Sequence, residues 1–195
     1  MASTTPVKTY KAKVNIVVDT ETLALDSKAA VVDIGAVMAM GKFEPCQFQL
    51  YIKPSSYVGT PFEIDADTLE WHEKQNPGYL DKCEELGVSF QEAAHEFHTW
   101  LSGFAANAEL HMWAQGKDFD QTILGYLFKT SGIEKTAYSY RNFHCTRDLL
   151  FLNPGARIKG GQDEAAHTAL ADAIWAAKQF NAIVDKSSWY QRLFA

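Results

Sequence analysis

The sequence predicts an α/β or α+β fold in which helices pack against one sheet. The N-terminal part of the chain contains three apolar, strand-like segments separated by turn residues. The rest contains segments with the periodicity of amphipathic helices, which alternate with further strand-like sequence. Strands that are followed by alternating helices and strands form a sheet covered by helices.

The first three predicted strands cover residues 13–18, 30–40 and 46–52. The first is apolar and β-branched, the second is an apolar run, and the third alternates in polarity. Turn residues at 26–28 and 41–45 separate them. Because these connections are short, we expect an antiparallel meander.

Helical patterns dominate the chain after residue 64. Asp65 is placed to cap a helix that ends at residues 76–78, and Ser89 opens a capping-box sequence with Glu92. Further helices are predicted at 118–129, 146–152 and about 164–180, with a short strand at 110–114 and a mixed, aromatic stretch at 138–145.

Length and composition are those of one folded domain. The chain has 195 residues, 47% of them hydrophobic, which is enough for a sizeable core. We predict a flexible leader over residues 1–12, rich in Thr and Lys, and a single domain over residues 13–195. No segment approaches the roughly 18 uninterrupted apolar residues of a membrane span, and the N-terminus lacks the apolar core of a signal peptide. We therefore expect a cytoplasmic protein with no membrane partner.

Charge and cysteine content argue against several classes of protein. The net charge of −6 is unsuited to a protein that covers long nucleic acid with a broad basic face. It does not exclude a protein that holds a short strand end through metal ions and a few cations. Cys46, Cys83 and Cys145 lack CxxC spacing, so we predict neither a disulfide framework nor a zinc ribbon.

Asp19 and Glu21 follow the first predicted strand. Residues two apart in a strand point to the same face, so these carboxylates project side by side. Adjacent carboxylates repel each other and are tolerated best with a cation between them, and oxygen-only ligation suits magnesium or manganese. The alternative is that this short DxE motif is only the polar end of a strand.

Three more residues are candidates for the same chemistry. Asp120 follows a predicted strand and a glycine-containing loop, which directs it toward the carboxyl ends of the strands, although the helix dipole also favours an acid there. Asp172 lies on a helix of alanine and apolar residues, where burial without a partner would be costly and exposure would remove that cost. His167 precedes it and can reach a reacting water, or can be a capping or surface residue.

Together these motifs resemble the DEDDh exonucleases of the ribonuclease H-like superfamily. The resemblance extends from about Lys13 to Phe180 and includes DxE, Ile-Gly-Ala-Val at 34–37, FD after the fourth strand, and HxxxxD. Segments 64–72 and 113–120 look most like small stand-alone phage and bacterial members, although Trp71-His72 replaces the two tryptophans that such proteins often carry. The resemblance implies an α/β, ribonuclease H-like fold with a mixed five-stranded sheet flanked by helices.

The resemblance also implies a mechanism. Asp19, Glu21, Asp120 and Asp172 would hold two divalent cations, Mg²⁺ or Mn²⁺, with Asp19 placed to bridge both. These ions would orient and acidify a water and stabilise the leaving 3′ oxygen, and His167 would take the proton of that water. We therefore expect a 3′-5′ exonuclease that releases nucleoside 5′-monophosphates from single-stranded 3′ ends, with DNA preferred. The alternatives are an exoribonuclease or oligoribonuclease on the same site, and a catalytically silent module that binds nucleic acid or a protein.

Several residues are candidates for contact with the substrate by analogy with the family. They are Thr22 and Leu23 for the terminal sugar and base, Trp71, His72 and Phe119 for stacking on a base, and Arg157 and Lys159 for phosphate. For each of them the alternative is ordinary packing or a solvated charge. Many relatives dimerise, so the resemblance also raises a homodimer as a partner state.

Overall fold

The computed structural model of the protein describes residues 11–39, 46–158 and 168–186. Within these ranges a five-stranded sheet is flanked by six α-helices, which agrees with the five-stranded sheet flanked by helices that the resemblance implied. The strands are β1 (Ala12–Thr22), β2 (Val31–Ala39), β3 (Gln47–Tyr51), β4 (Ala108–Ala114) and β5 (Phe143–Cys145). The helices are α1 (Ala66–Gln75), α2 (Tyr79–Leu86), α3 (Phe90–Ala105), α4 (Lys117–Thr130), α5 (Thr146–Leu152) and α6 (Ala169–Lys186).

The sheet has the strand order β3-β2-β1-β4-β5 and is mixed. β1, β2 and β3 form the predicted antiparallel meander, whereas β4 runs parallel to β1 and β5 runs parallel to β4. The carboxyl ends of β1, β4 and β5 therefore meet at one edge of the sheet, which is where open α/β sheets form their binding crevices.

Alternation along the strands divides the core into two layers. Ile16 and Val18 of β1 pack in a large cluster with Phe97 of α3 and Leu124 of α4. Val17, which points the other way, packs in a second cluster that α6 dominates. Because side chains alternate between the faces of a strand, Asp19 and Glu21 share the face that Val17 occupies, which is the α6 face.

Gly35 on β2 lets α6 approach the sheet closely. A Cβ atom at this position would overlap the backbone of Ala169 and Leu170, the first residues of α6. Gly35 pairs with Asp19 across the β1–β2 ladder. The absence of a side chain here therefore brings the start of α6 directly against the strand end that carries the acidic pair.

Both predicted helix caps are present. The Asp65 side chain accepts a hydrogen bond from the Asp67 backbone N–H at the start of α1, and Ser89 accepts one from the Glu92 N–H at the start of α3. The predicted extent of β1 was too short, because the strand continues through the acidic pair to Thr22. Glu21 pairs with Asp33 of β2, so ladder pairing carries the strand past the end of its apolar run.

Two elements were not predicted as such. α2 has eight residues, of which only Tyr79 and Cys83 are buried, so its apolar pattern is too short to indicate a helix. β5 has three residues and lies inside the stretch with no clear periodicity. The beginning of the last predicted helix, at residue 164, falls outside the described residues. None of the helices in the described ranges combines the length and apolarity needed to cross a membrane.

Candidate active site

Three carboxylates converge at the carboxyl end of β1. Asp19, Glu21 and Asp172 each place one carboxylate oxygen within 4.8 Å of the others. Asp19 and Glu21 come from β1, and Asp172 comes from the first turn of α6, which lies on the same face of the sheet. We call these three residues the acidic cluster. The close approach of α6 at Gly35 brings residues more than 150 positions apart in sequence into one small volume.

Asp120 reaches the same edge from the other side of β1. It lies in the first turn of α4, is buried, and accepts a hydrogen bond of 3.0 Å from the Thr20 hydroxyl. Thr20 points to the face opposite to Asp19 and Glu21, so Asp120 lies around the end of the strand from the acidic cluster. It nevertheless lines a cavity together with Asp19 and Asp172. The four predicted acids therefore meet at one site, three in a tight cluster and the fourth beside it.

Burial and mutual repulsion raise the pKa values of these carboxyl groups. For Asp19, burial followed by the charges of Asp120 and Glu21 raises the pKa well above its usual value. Burial and the charge of Asp172 raise the pKa of Glu21 to about 8. Burial raises the pKa of Asp120 to about 6, against the opposing hydrogen bond from Thr20. Carboxylates that destabilise each other in this way, with oxygen as the only donor, suit a divalent cation such as Mg²⁺ or Mn²⁺.

Asp33 is a further buried carboxylate beside the cluster. It is 0% exposed and lies directly opposite Glu21 in the β1–β2 ladder. Its Oδ2 atom accepts hydrogen bonds from the Tyr79 hydroxyl at 2.7 Å, the Gln49 side chain at 3.3 Å and the Ala169 backbone N–H at 3.2 Å. Sequence reasoning did not select Asp33, although an acid inside the otherwise apolar β2 is a visible signal.

A cavity of about 470 Å³ adjoins Glu21. Leu25, Trp71 and Phe119 line it with apolar surface, and Asp65 and Asp67 add negative charge. We call it the aromatic cavity. Its rings offer stacking surface for a base, while its acids disfavour a phosphate group.

The structure separates the predicted substrate contacts into two groups. Thr22, Trp71, His72 and Phe119 all line the aromatic cavity. His72 is buried, and its Nε2 atom lies 2.8 Å from the Thr22 carbonyl oxygen, so this histidine also fixes the cavity wall. Leu23 is 0% exposed in the hydrophobic core, so the predicted contact through Leu23 has to be corrected. β1 ends at Thr22 after a register irregularity between Glu21 and Thr22, so Leu23 does not follow the alternation of the strand and packs in the cluster of Ile16 and Val18. Leu25, which is 80% exposed, lines the cavity instead.

A second cavity of about 450 Å³ also adjoins the acidic cluster. Asp19, Asp120, Asp172 and Arg147 line it, and it shares Thr20, Leu25 and Phe119 with the aromatic cavity. We call it the arginine cavity. The sequence analysis did not identify Arg147, because the β5 strand that precedes it is too short to be recognised.

Of the three remaining predicted residues, the structure describes only Arg157. Arg157 is exposed and follows a short 3₁₀ helix at Pro154–Ala156, and it lines neither of the two cavities. Lys159 and His167 fall outside the described residues. In sequence, His167 directly precedes Thr168, whose carbonyl oxygen accepts a hydrogen bond of 3.1 Å from the Asp172 N–H.

One family model matches most of the chain. The model describes the 3′-5′ exoribonuclease Rv2179c-like domain, and it matches residues 14–184. This range includes all four predicted acids and His167. A comparison with curated proteins found no match.

Solved structures of Exonuclease I have the same fold. E. coli Exonuclease I in complex with a 5cy-dA13 oligonucleotide superimposes with a TM-score of 0.64 at 14% identity, over 93% of this chain and 43% of that one. An apo form of Exonuclease I gives a TM-score of 0.67 at 14% identity, over 94% and 45% of the two chains. A zinc-bound form of the E. coli enzyme with single-stranded DNA gives 0.65 at 14% identity, over 93% and 42%. The likeness confirms the predicted ribonuclease H-like fold, and this chain spans less than half the length of these proteins.

Proposed function

The chain belongs to the 3′-5′ exoribonuclease Rv2179c-like domain family, and from this premise we propose that it hydrolyses single-stranded nucleic acid from the 3′ end with divalent metal ions. The membership supports the predicted enzyme class, a 3′-5′ exonuclease of the DEDDh type. The observation that carries the proposal is the convergence of Asp19, Glu21 and Asp172 within 4.8 Å, with Asp120 on the adjoining cavity wall.

We assign the four acids to two metal positions. Asp19, Glu21 and Asp172 have the spacing for one ion, and Asp19 together with Asp120 would hold the second. Bound Mg²⁺ or Mn²⁺ would supply an acidified water and charge stabilisation at the leaving 3′ oxygen. Asp19 lies at the centre of this arrangement, because the charges of Asp120, Glu21 and Asp172, and that of Asp33, all act on its carboxyl group. We retain His167 as the proposed general base on the strength of the family motif.

The aromatic cavity is the proposed place for the 3′-terminal nucleoside. Trp71 and Phe119 offer ring surface beside Glu21, and stacking on a ring holds any base without sequence preference. The family description supports RNA as the substrate, which is the alternative to the preference for DNA that we predicted. The Exonuclease I structures with oligonucleotides support DNA as a second candidate. Cleavage rates on end-labelled RNA and DNA of equal sequence distinguish the two, since a protein separates them through the 2′-hydroxyl.

The test of the proposed function uses substitutions that keep the size of the side chain. We expect the wild type to shorten a 5′-labelled oligonucleotide with Mg²⁺ or Mn²⁺ and to release mononucleotides. Asp19→Asn, Asp120→Asn and Asp172→Asn should each lower kcat by about a thousandfold, because losing a metal ligand removes several kcal/mol of transition-state stabilisation. Asp81→Asn, an exposed acid on α2, removes the same charge elsewhere and should keep full activity.

The competing function is a silent module that binds nucleic acid or a protein partner. It predicts that the wild type and the Asp19→Asn variant are equally inert on every RNA and DNA 3′ end, with either metal. His167→Ala serves as a separate variant, because loss of a general base lowers kcat while metal binding persists. The single domain over residues 13–195, the cytoplasmic location and the homodimer stay predictions.

A further inference from the structure

We propose that Arg147 binds a backbone phosphate on the 5′ side of the scissile linkage, so that the substrate strand runs through the arginine cavity and ends in the aromatic cavity. This inference rests on the proposed exonuclease function and adds a direction to it. It assigns a phosphate-binding residue that the family motifs do not include.

The fold brings Arg147 to the reaction edge. It is the second residue of α5 and follows directly after β5, whose parallel pairing places its carboxyl end beside those of β4 and β1. Arg147 lines the arginine cavity together with Asp19, Asp120 and Asp172. Its guanidinium group lies beside Gly116, at the start of α4, with Nη1 at 3.5 Å from where a Cβ would be.

The two cavities differ in charge. Among the described residues that line the aromatic cavity there are three acids, Glu21, Asp65 and Asp67, and no lysine or arginine. The arginine cavity is also lined by three acids, Asp19, Asp120 and Asp172, but it has Arg147 as the one lysine or arginine among its described lining residues. Its three acids are the proposed metal ligands, whose charge bound divalent ions would neutralise, so a backbone phosphate is favoured beside Arg147 and disfavoured beside Asp65 and Asp67 of the aromatic cavity.

Arg147 has its donors available. It is exposed, and within the described part of the chain it has no ion pair closer than 4.0 Å. Arginine presents a planar fork of N–H donors that matches the oxygens of a phosphate, and this makes it more specific for phosphate than a lysine. The 3′-terminal nucleoside of a strand carries no phosphate on its 3′ side, so it fits the acidic, aromatic cavity, and the upstream phosphates fit the side of Arg147.

The test compares substrates with and without an upstream phosphate. A dinucleotide without a 5′ phosphate contains only the scissile linkage, whereas a tetranucleotide contains two more. For Arg147→Ala we expect KM to rise about tenfold on the tetranucleotide, the scale of one charge-assisted hydrogen bond, with kcat changed less than about twofold. KM on the dinucleotide should be unchanged. A tetranucleotide with a neutral methylphosphonate next to the scissile linkage should bind the wild type and Arg147→Ala equally.

Two variants control for charge and geometry. Arg141→Ala removes an equal charge from an exposed arginine that stacks on Tyr140 outside both cavities, and it should leave KM unchanged. Arg147→Lys keeps the positive charge but lacks the planar fork of N–H donors, so its KM on the tetranucleotide should lie between those of the wild type and Arg147→Ala. If Arg147→Ala raises KM equally on the dinucleotide and the tetranucleotide, or raises it on neither, the proposal is overturned. If the wild type cleaves nothing, the exonuclease function fails by itself, and fluorescence anisotropy with a labelled oligonucleotide still tests Arg147 through binding.

Discussion

The carboxylate of Asp33 caps the helix that carries Asp172. Its Oδ2 atom accepts a hydrogen bond of 3.2 Å from the Ala169 N–H, at the first residue of α6. The first N–H groups of a helix have no acceptor within the helix, so a carboxylate there satisfies one of them and interacts favourably with the helix dipole. Tyr79 donates to the same oxygen at 2.7 Å and holds the carboxylate in place. The position of Asp172 in the acidic cluster therefore depends on a residue of β2.

Replacing Asp33 should weaken metal binding. For Asp33→Ala we expect a loss of stability of about 1–3 kcal/mol, because the Tyr79 hydroxyl and the Ala169 N–H lose their buried acceptor. The affinity for Mn²⁺, measured by calorimetry, should also fall, because the first residue of α6 is no longer hydrogen-bonded to the sheet. Asp33→Asn removes the charge but keeps an acceptor oxygen and should bind Mn²⁺ better than Asp33→Ala.

Gln49→Ala is the matched control for Asp33. Gln49 donates to the same oxygen from β3, so its removal leaves the bond to α6 intact and should leave Mn²⁺ affinity unchanged. If Asp33→Ala unfolds more easily but binds Mn²⁺ as the wild type does, packing alone positions Asp172.

Adding a methyl group at Gly35 should displace α6. A Cβ there overlaps the backbone of Ala169 and Leu170, which cannot rotate away as a side chain does. We expect Gly35→Ala to lower the free energy of unfolding by about 1–3 kcal/mol or more, as overpacking does, and to lower kcat and Mn²⁺ affinity together. Urea unfolding and calorimetry measure the two effects.

Gly125→Ala is the control variant, and we expect it to change the free energy of unfolding in the opposite direction to Gly35→Ala. Gly125 lies within α4, and a Cβ there meets no atom within 4 Å. The same substitution should therefore raise stability by about 0.5–1 kcal/mol through helix propensity. Similar effects of both variants would mean that α6 tolerates a shift at Gly35.

Without metal, the protein should lose stability as the pH rises. Burial and the charge of Asp172 raise the pKa of Glu21 to about 8, and burial raises that of Asp120 to about 6. Both groups bind protons more tightly in the folded state, so their stabilisation is complete below the unfolded pKa values of about 4. It is lost as the pH rises through the folded values of about 6 and about 8. Urea unfolding in EDTA should show this decline.

Divalent cations should reverse the decline in stability. Mg²⁺ neutralises the ionised carboxylates, so its stabilising effect should grow from acidic to alkaline pH. Glu21→Gln removes one titrating group and should flatten the pH dependence in EDTA above about pH 6, because the neutral amide is not repelled by Asp172. A metal-free stability that rises across this range would contradict the arrangement of the acids.

Trp71 should contribute to substrate affinity. Its ring is 43% exposed and lines the aromatic cavity, and stacking on a base is worth about 1–3 kcal/mol. We therefore expect Trp71→Ala to raise KM by about tenfold with a smaller effect on kcat. Phe151→Ala is the control, because Phe151 is 83% exposed on α5 and lines neither cavity. Equal KM values for both variants would show that the base binds elsewhere.

A phosphate on the 3′ end should protect a strand from cleavage. The aromatic cavity is lined by Asp65 and Asp67, which repel a terminal phosphate placed beside the nucleoside. We expect cleavage of a 3′-phosphorylated oligonucleotide to be slower than that of its 3′-hydroxyl form, by about tenfold for one repulsion of about 1.4 kcal/mol. Asp67→Asn should reduce the difference in cleavage rate between the two oligonucleotides, since it removes one negative charge from the cavity. It leaves the Asp65 side chain in place as the cap of α1. Equal rates on both ends would place the nucleoside outside this cavity.

Much of the architecture could be predicted from the sequence because its signals are local. β-Branched and alternating residues indicate β1 to β3, and Asp65 and Ser89 mark two helix starts, since these patterns act over a few neighbouring residues. The acids at 19, 21, 120 and 172 were recognisable because their spacing matches a known family. α2 and β5 were not predicted because each has too few residues for a periodic pattern of apolar side chains to be recognised.

The sequence by itself determined which residues carry the acidic chemistry and in which order the elements follow. Only the tertiary structure decided that Asp33 and Gly35 position α6, that Leu25 and not Leu23 lines the aromatic cavity, and that Arg147 lines a cavity with Asp19, Asp120 and Asp172. Those roles arise from contacts between residues far apart in the chain. Such contacts depend on how helices pack on the sheet, and no local pattern encodes that packing.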